Sequence, residues 1–231
     1  MTTEAFRSAS SFHFTQTINM AVRPLVSGTV ADRRRFRWRG PVAALLLVPS
    51  AVVTLLSAPL VTESSWLDLG IDGIAWATFV TGAGFRFWAT LYIAGRKEAF
   101  LVTDGPYSVC RNPLYLGSLL LAVGTGLFLK SLLFALALLL VALIYMLTTV
   151  PVEEEFLRAR HGEHYEAYIR RVPRYWPNSA GFYTPNQLTV DLHRLRLECA
   201  RASRWVWLPM LGESLAHLRG HPWWPQMFQW L

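Results

Sequence analysis

The fold of this chain is decided by residues 104–117, DGPYSVCRNPLYLG, in which a polar turn runs directly into an apolar helix. Residues 104–106 form a turn signal, and Pro113 suits the first position of a helix that Asn112 caps. A second polar block, residues 153–174, follows the next hydrophobic hairpin. Folding that hairpin would bring the two blocks to the same side of a bilayer. The sequence therefore predicts a polar site held at a membrane surface.

The composition is that of a membrane protein. Of the 231 residues, 53% are hydrophobic and 16% are charged, and the mean hydropathy of +0.29 is high for a soluble domain of this length. A membrane-spanning helix needs about 20 apolar residues. The stretches that qualify are residues 41–60, 71–94, 114–129 and 132–150. We therefore predict an all-α membrane protein with about four transmembrane helices.

The basic residues predict the orientation of these helices, because positively charged loops stay in the cytoplasm. They cluster before span one, between spans two and three, and after span four, whereas only Lys130 lies between spans three and four. The clustered residues are Arg33, Arg34, Arg35, Arg37, Arg39, Arg96, Lys97, Arg111, Arg158, Arg160, Arg170, Arg171 and Arg174. We therefore predict a multi-pass integral membrane protein with both termini and both polar blocks on the cytoplasmic side.

The chain divides into a basic cytoplasmic tail at residues 1–40, a transmembrane core at residues 41–177 and an extension at residues 178–231. Residues 188–208 of the extension have the pattern of an amphipathic helix with four arginines, and the end of the chain is rich in Trp. Each arginine at the centre of a bilayer would cost about 2.5–3.5 kcal/mol. We therefore predict that the extension is an interfacial amphipathic region rather than a fifth span.

Span two carries an unusual charge, Arg86. Charged residues at membrane depth usually face the protein interior and are often functional. Arg86 could equally extend its side chain to the cytoplasmic interface from the lower half of the helix. The sequence leaves both interpretations open.

Several common kinds of site have no support in the sequence. The net charge of +7 reflects the topology and attraction to anionic headgroups, so we predict the lipid bilayer as a partner and no nucleic acid. No glycine-rich nucleotide fingerprint follows a strand. His161 and His164 are two of six scattered histidines, and we predict no metal. Cys110 and Cys199 are far apart in sequence and on the predicted cytoplasmic side, where thiols stay reduced, so we predict no structural disulfide and interpret Cys110 as a structural thiol.

The acidic triplet at residues 153–155 has three interpretations. It could be the solvated start of a helix, where carboxylates are stabilised by the helix dipole. It could pair with Arg111 or Arg174. It could also bind the cationic part of a ligand.

The two polar blocks together resemble a known family. Residues 105–117, followed after the hairpin by residues 153–157, Gly162, Tyr165, Tyr168 and residues 172–174, are similar to the isoprenylcysteine carboxyl methyltransferases. That superfamily of integral-membrane enzymes also includes phospholipid and methanethiol methyltransferases. The similarity covers about residues 75–177. It implies methyl transfer from S-adenosylmethionine to a lipophilic or small acceptor at the cytoplasmic face of the membrane.

The resemblance also implies a set of site residues. A cofactor pocket on the cytoplasmic side would open laterally for the acceptor. Its cofactor-binding residues would be Tyr107, Arg111, Asn112, Pro113, Tyr115, Gly117, Glu153 and Glu154, and its catalytic residues near the acceptor would be Arg174, Arg171 and Arg111. A sulfonium donor with an amino-acid tail suits a pocket where carboxylates, an arginine and aromatic faces converge.

One position departs from the family pattern. The family usually has His where this chain has Asn112, and an amide cannot titrate. A proton-transfer role is therefore not expected there, whereas a positioning role is.

The acceptor and two other functions stay open. A prenylcysteine-like carboxylate, a small thiol and a lipid amine all suit a lateral, partly apolar entrance. An NADPH-dependent membrane sterol or enone reductase shares an element like Arg111, Pro113 and Tyr115, but those reductases favour a carboxylate where this chain has Ser118. A non-catalytic membrane scaffold is the third possibility.

Overall fold

The computed structural model describes residues 38–61, 65–94, 100–188, 190 and 192–228. Within these residues the chain forms eight α-helices and no strand beyond a single isolated bridge, which confirms the all-α prediction. The helices are α1 (Arg39–Leu55), α2 (Trp66–Ile93), α3 (Pro106–Val109), α4 (Pro113–Phe128), α5 (Leu132–His161), α6 (Glu163–Arg171), α7 (Leu192–Ala202) and α8 (Trp207–Gly220). Two 3₁₀ turns, Ser179–Gly181 and Ser203–Val206, complete the elements.

The chain divides into two compact units, residues 1–41 and 42–231. Of the first unit the structure describes only the residues that begin α1. Residues 1–37 of the basic tail predicted at residues 1–40, and the loop residues Arg96 and Lys97, lie outside the described residues. All contacts considered below belong to the second unit.

Helices α1, α2, α4 and α5 coincide closely with the four predicted spans. Among the described residues, α5 is the one helix that is both long enough and apolar enough to cross a membrane. Helices α1 and α4 are apolar, but they have only 17 and 16 residues. The four-span arrangement therefore stays a prediction.

The end of α5 differs from the sequence prediction. The fourth span was predicted to end at residue 150, and one interpretation of the acidic triplet began a new helix there, but α5 continues through Pro151 and the triplet to His161. The break comes at Gly162, whose φ of +51° is a backbone conformation that favours glycine. The acidic triplet thus extends directly from the apolar part of α5.

Helices α2 and α4 approach closely because glycines face each other across the interface. A Cβ atom at Gly82 would lie 2.8 Å from the carbonyl oxygen of Gly117, and a Cβ atom at Gly117 would lie 2.6 Å from Cγ of Arg86. Small residues allow helix backbones to come together in this way. The packing places the first turns of α4, which carry the predicted site, against the second half of α2.

The turn between α4 and α5, residues 129–131, is held by charges and hydroxyls; we call this the hairpin end of the bundle. Lys130 has a φ of +47°, and its buried Nζ pairs with Asp68 and with Asp72, the latter at 3.3 Å. The hydroxyl oxygens of Thr54 and Ser131 are 2.8 Å apart. The opposite end, residues 104–113, carries the polar turn, and we call it the site end.

The extension does not lie apart from the bundle. Near the site end, the hydroxyls of Tyr92 and Thr184 form a 2.6 Å hydrogen bond. Further along α2, the Trp205 ring stacks on the guanidinium of Arg86. The extension therefore descends along α2, in the opposite direction to that helix.

The extension then reaches the hairpin end. Trp76 Nε1 donates to Glu213 Oε1 at 3.0 Å, and the fully buried Arg219 donates to three backbone carbonyls. The acceptors are the carbonyls of Ser57, Ala58 and Leu129, at 3.0, 3.2 and 2.7 Å. Carbonyls at the ends of helices lack partners within the helix and attract cations. Arg219 thus ties the extension to the hairpin end of the bundle, whereas the interfacial placement, which rested on the arginines of residues 188–208, stays a prediction.

The close packing of α2 and α4 gives a test with a matched control. Gly82→Ala should lower the melting temperature in detergent, because overpacking typically costs about 1–3 kcal/mol. Gly84→Ala lies on the same helix, where an added Cβ meets nothing within 4 Å. It should leave the melting temperature unchanged or raise it slightly, since Ala favours a helix by about 1 kcal/mol over Gly. Equal melting temperatures for the two variants would contradict the packing described here.

Candidate functional site

The two polar blocks meet at the site end through backbone hydrogen bonds. The amide of Arg111 donates to the carbonyl of Pro173 at 2.9 Å, and the amide of Asn178 donates to the carbonyl of Val109 at 3.0 Å. The amide of Gly105 donates to the carbonyl of Tyr183 at 2.7 Å. The segment after α6 therefore runs back along the turn that precedes α4.

Gly105 is required at the start of this turn. Its φ of +58° favours glycine, and a Cβ atom there would overlap the ring of Tyr92. Ser108 fastens the same turn, because its hydroxyl donates to the Gly105 carbonyl at 2.7 Å and accepts from the Tyr183 amide at 3.0 Å. The turn is thus held by α2 on one side and by the returning segment on the other.

The centre of the site is the carboxylate of Glu154, which is only 5% exposed. Its Oε1 accepts from Asn112 Nδ2 at 3.2 Å and pairs with Arg111 Nη1 at 3.3 Å. Its Oε2 accepts from Nε and Nη2 of Arg174, at 3.0 and 2.6 Å. One carboxylate therefore joins α5, the turn before α4 and the segment after α6. We call this group of four side chains the Glu154 cluster.

Asn112 occupies the cap position of α4, as predicted, but its side chain makes no capping bond. Instead Nδ2 donates both to Glu154 and, at 3.1 Å, to the carbonyl of Arg174. An amide nitrogen supplies two donors without a charge, whereas a neutral imidazole supplies one. The geometry accordingly gives Asn112 a positioning role.

A cavity of about 560 Å³ opens beside the Glu154 cluster, within the range typical of small-molecule sites. Its wall is formed by α2, the polar turn, α4, α5 and α6. Seven of the predicted site residues line it: Tyr107, Arg111, Asn112, Pro113, Tyr115, Glu153 and Glu154. The structure therefore brings together most of the residues that the resemblance implied for the cofactor.

Three predicted residues do not line the cavity. Gly117 lies against the stem of Arg86 and serves the helix packing. Arg174 is held by Glu154 on the outer side, with 41% of its side chain exposed. Arg171 is exposed, and its Nε donates to the carbonyl of Ala167 in its own helix. The structure thus gives Arg174 a bracing position, and it leaves Arg171 away from the cavity.

Sequence reasoning omitted several lining residues from the site. Arg86 faces the cavity, which favours the interpretation that its charge turns toward the protein interior. The unusual charge within span two was the sequence signal for this residue. Tyr165 and Tyr168 were part of the resemblance but were given no role. The added lining residues are Arg86, Ile93, Phe100, Leu101, Val102, Leu114, Ser118, Val152, Phe156, Leu157, Tyr165 and Tyr168.

Two buried hydrogen-bond donors lie at the site. Among the described residues, the Tyr107 hydroxyl and Arg111 Nε are buried without a hydrogen-bond partner. Burial, followed by the nearby Glu153 carboxylate, raises the pKa of Tyr107 well above its usual value. The phenol therefore remains protonated at neutral pH and can donate. Buried polar groups are seldom left unpaired, so the site suits a ligand that carries hydrogen-bond acceptors.

Cys110 is part of the framework. It is fully buried, and its Sγ donates to the carbonyl of Tyr175 at 3.3 Å. Burial raises the pKa of the Cys110 thiol, so little thiolate is present at neutral pH. This supports its interpretation as a structural thiol. Both Cys110 and Cys199 are free.

Parts of this chain are similar to known proteins. Residues 69–164 match the phospholipid methyltransferase family. The nickel-cobalt-cadmium resistance protein NccN of Alcaligenes xylosoxydans xylosoxydans is 27% identical over 219 residues, which cover 90% of this chain and 97% of that protein. The cobalt-zinc-cadmium resistance protein CzcN of Cupriavidus metallidurans is 34% identical over 148 residues, 64% of this chain and 66% of that protein.

A third relative has a name that states a methyl-transfer activity. Protein-S-isoprenylcysteine O-methyltransferase B of Arabidopsis thaliana is 33% identical over 96 residues, which cover 42% of this chain. This chain spans about half of that relative, 49% of its length. No solved structure matches the chain significantly. Residues 69–164 contain Glu154 and much of the cavity wall, and over them the chain is similar to the phospholipid methyltransferase family, in line with its resemblance to the isoprenylcysteine methyltransferases.

Proposed function

We propose that this chain is an S-adenosylmethionine-dependent methyltransferase that acts on a lipophilic or small acceptor at the membrane surface. The family and the named relatives support a membrane methyltransferase. The observation that supports S-adenosylmethionine as the methyl donor is the cavity beside the Glu154 cluster. This cavity combines the carboxylate of Glu153, aromatic faces and buried hydrogen-bond donors.

The residues at the cavity fit the donor. A sulfonium cation is attracted to carboxylates and aromatic faces, and Glu153 and Tyr115 supply both kinds of group in the wall. Hydroxyl and carboxylate groups of the donor would satisfy the buried donors of Tyr107 and Arg111. When bound, S-adenosylmethionine would supply the methyl group from its sulfonium.

The chain contributes alignment and exclusion of water rather than a nucleophile. Methyl transfer is a single displacement, so its rate depends on orientation and desolvation. The Glu154 cluster fixes Arg111 and Asn112 at the wall. Apolar side chains occupy much of the remaining wall, among them Leu114 and Phe156. They favour an acceptor that is itself partly apolar.

The alternatives are less well supported. None of the relatives named above is a reductase. Those reductases favour a carboxylate at the position of Ser118, and here the Ser118 hydroxyl accepts a hydrogen bond from Arg86. A scaffold would not need the cavity or its buried donors. Two relatives are named for metal resistance, whereas the cavity of this chain has the groups that suit a methyl donor.

Donor binding can be tested at two neighbouring glutamates. The purified protein should bind labelled S-adenosylmethionine, and Glu153→Gln should weaken binding about tenfold to a hundredfold, because a charge-assisted bond contributes about 1.5–3 kcal/mol. Glu155 is exposed and does not line the cavity, so Glu155→Gln should bind like the wild type. A wild-type protein without affinity for the donor, or equal affinities in the two variants, would refute the proposed site.

The methyl acceptor can be identified by following transfer of the label from S-adenosylmethionine to candidate acceptors. The three candidates are N-acetyl-S-farnesylcysteine for the carboxylate, methanethiol for the thiol and phosphatidylethanolamine for the amine. Transfer of label to one of them identifies the acceptor class.

We also propose that α1, α2, α4 and α5 cross the bilayer with the site end in the cytoplasm. The contacts of Arg219 at the hairpin end support an extension that returns across the bilayer along α2, with the C-terminus on the opposite side. This part of the proposal takes the place of the predictions that the extension is interfacial and that both termini are cytoplasmic. The basic residues after α5 support the placement of the site end.

This topology can be tested by labelling with a membrane-impermeant maleimide. In a background with Cys110→Ala and Cys199→Ser, Met227→Cys should be labelled from the outer side and Glu155→Cys only from the cytoplasmic side. Met227 is 72% exposed and Glu155 is also exposed. Labelling of both positions from the same side would contradict the proposed topology.

A further inference from the structure

Arg86 carries a charge within the helix that packs most closely on α4. An arginine at membrane depth costs about 2.5–3.5 kcal/mol when nothing compensates it. It lines the cavity beside Ser118. Ser118 is five residues beyond Pro113, the first residue of α4, so at about 1.5 Å per residue it lies deeper in the bundle than the Glu154 cluster.

The side chain of Arg86 is held by α4. Its Nη1 donates to the carbonyl of Leu114 at 3.3 Å and to the hydroxyl of Ser118. The stem passes over Gly117, where any side chain would collide with Cγ. These contacts fix the guanidinium at the cavity wall.

The extension adds another contact. The guanidinium carbon of Arg86 lies 4.6 Å from the centre of the Trp205 ring, a distance at which cation and ring attract each other. Trp205 is itself packed on a buried core cluster of Ala75, Phe79, Leu121 and Phe128. The ring is therefore a fixed surface, and it lies outside residues 69–164 that match the family.

We propose that Arg86 binds the polar head of the methyl acceptor and that Trp205 is the positioning residue that holds its guanidinium at the wall. This inference rests on the proposed function and adds to it a role for the extension. The head group that a guanidinium recognises is an anion or a group rich in acceptor oxygens.

The acceptor is the better partner for Arg86 than the donor. The residues that suit the donor, Tyr107, Tyr115 and Glu153, belong to the polar turn, the first turn of α4 and the acidic triplet. Arg86 lies beyond them, bonded to Leu114 and Ser118 of α4.

The test compares three variants with the labelled donor and whichever of the three acceptors is turned over. Trp205→Leu keeps an apolar side chain but loses the ring, and its acceptor KM should rise about 3-fold to 30-fold, as expected for a cation–π contact. Its affinity for S-adenosylmethionine should change by less than about twofold. Trp205→Phe retains a ring face and should recover most of the acceptor KM. Trp207→Leu alters an exposed neighbouring Trp and should behave like the wild type.

The outcomes separate this inference from the proposed function. An unchanged acceptor KM in Trp205→Leu, or an equal rise in Trp205→Phe, overturns the positioning role. A matching loss of donor affinity in Trp205→Leu also overturns it, because the effect would then be a general disturbance of the site. A wild-type protein that binds no donor, or that methylates none of the three acceptors, overturns the proposed function and this inference with it.

Discussion

The buried carboxylate of Glu154 is the constraint on which the site depends. A charge taken out of water is tolerated only when it is paired and hydrogen-bonded, and Glu154 meets that condition through Arg111, Asn112 and Arg174 together. These partners come from segments that are distant in sequence. The end of α5, the turn before α4 and the segment after α6 must therefore converge before the carboxylate is satisfied. Removing one partner of such a buried group typically costs about 3–5 kcal/mol.

Because Glu154 is turned toward its ionic partners, the adjacent Glu153 faces a different part of the site. Successive residues on a helix point about 100° apart, so when Glu154 turns inward to its cluster, Glu153 faces the cavity. The resemblance implied one shared role for the pair in holding the cofactor. In the structure, both oxygens of Glu154 are bonded to the chain's own side chains. Glu153 is accordingly the carboxylate that we assign to the ligand.

The sequence predicted the helices and the meeting of the polar blocks well, for physical reasons that are local. Long apolar stretches form helices, and a tight hairpin between the last two long helices returns the chain to the side from which it came. Pro113 began a helix as its fixed φ predicts. The helix end at residue 161 was missed because Gly162, rather than Pro151, breaks the helix.

The positions that sequence reasoning assigned less well depend on contacts between distant segments. Gly117 was placed at the cofactor, but it makes room for Arg86. The extension was predicted to lie at an interface because the four arginines of residues 188–208 would each be costly inside a bilayer, and that placement stays a prediction. Arg219 lies outside that segment, and its role was not predicted because its acceptors are backbone carbonyls beyond α1 and at the end of α4, which no local pattern reveals.

The central claim is that Glu154 holds the donor site together through its ionic partners, and a double-mutant cycle on Glu154 and Arg174 tests it most directly. The dissociation constant for S-adenosylmethionine is measured for Glu154→Gln, Arg174→Gln and the double variant. Because Arg174 contacts Glu154 but does not line the cavity, the two single losses should overlap. The account predicts that the double variant loses less affinity than the sum of the single variants by about 1 kcal/mol or more, as expected for residues in one network. Additive losses, within about 0.5 kcal/mol, would contradict the account.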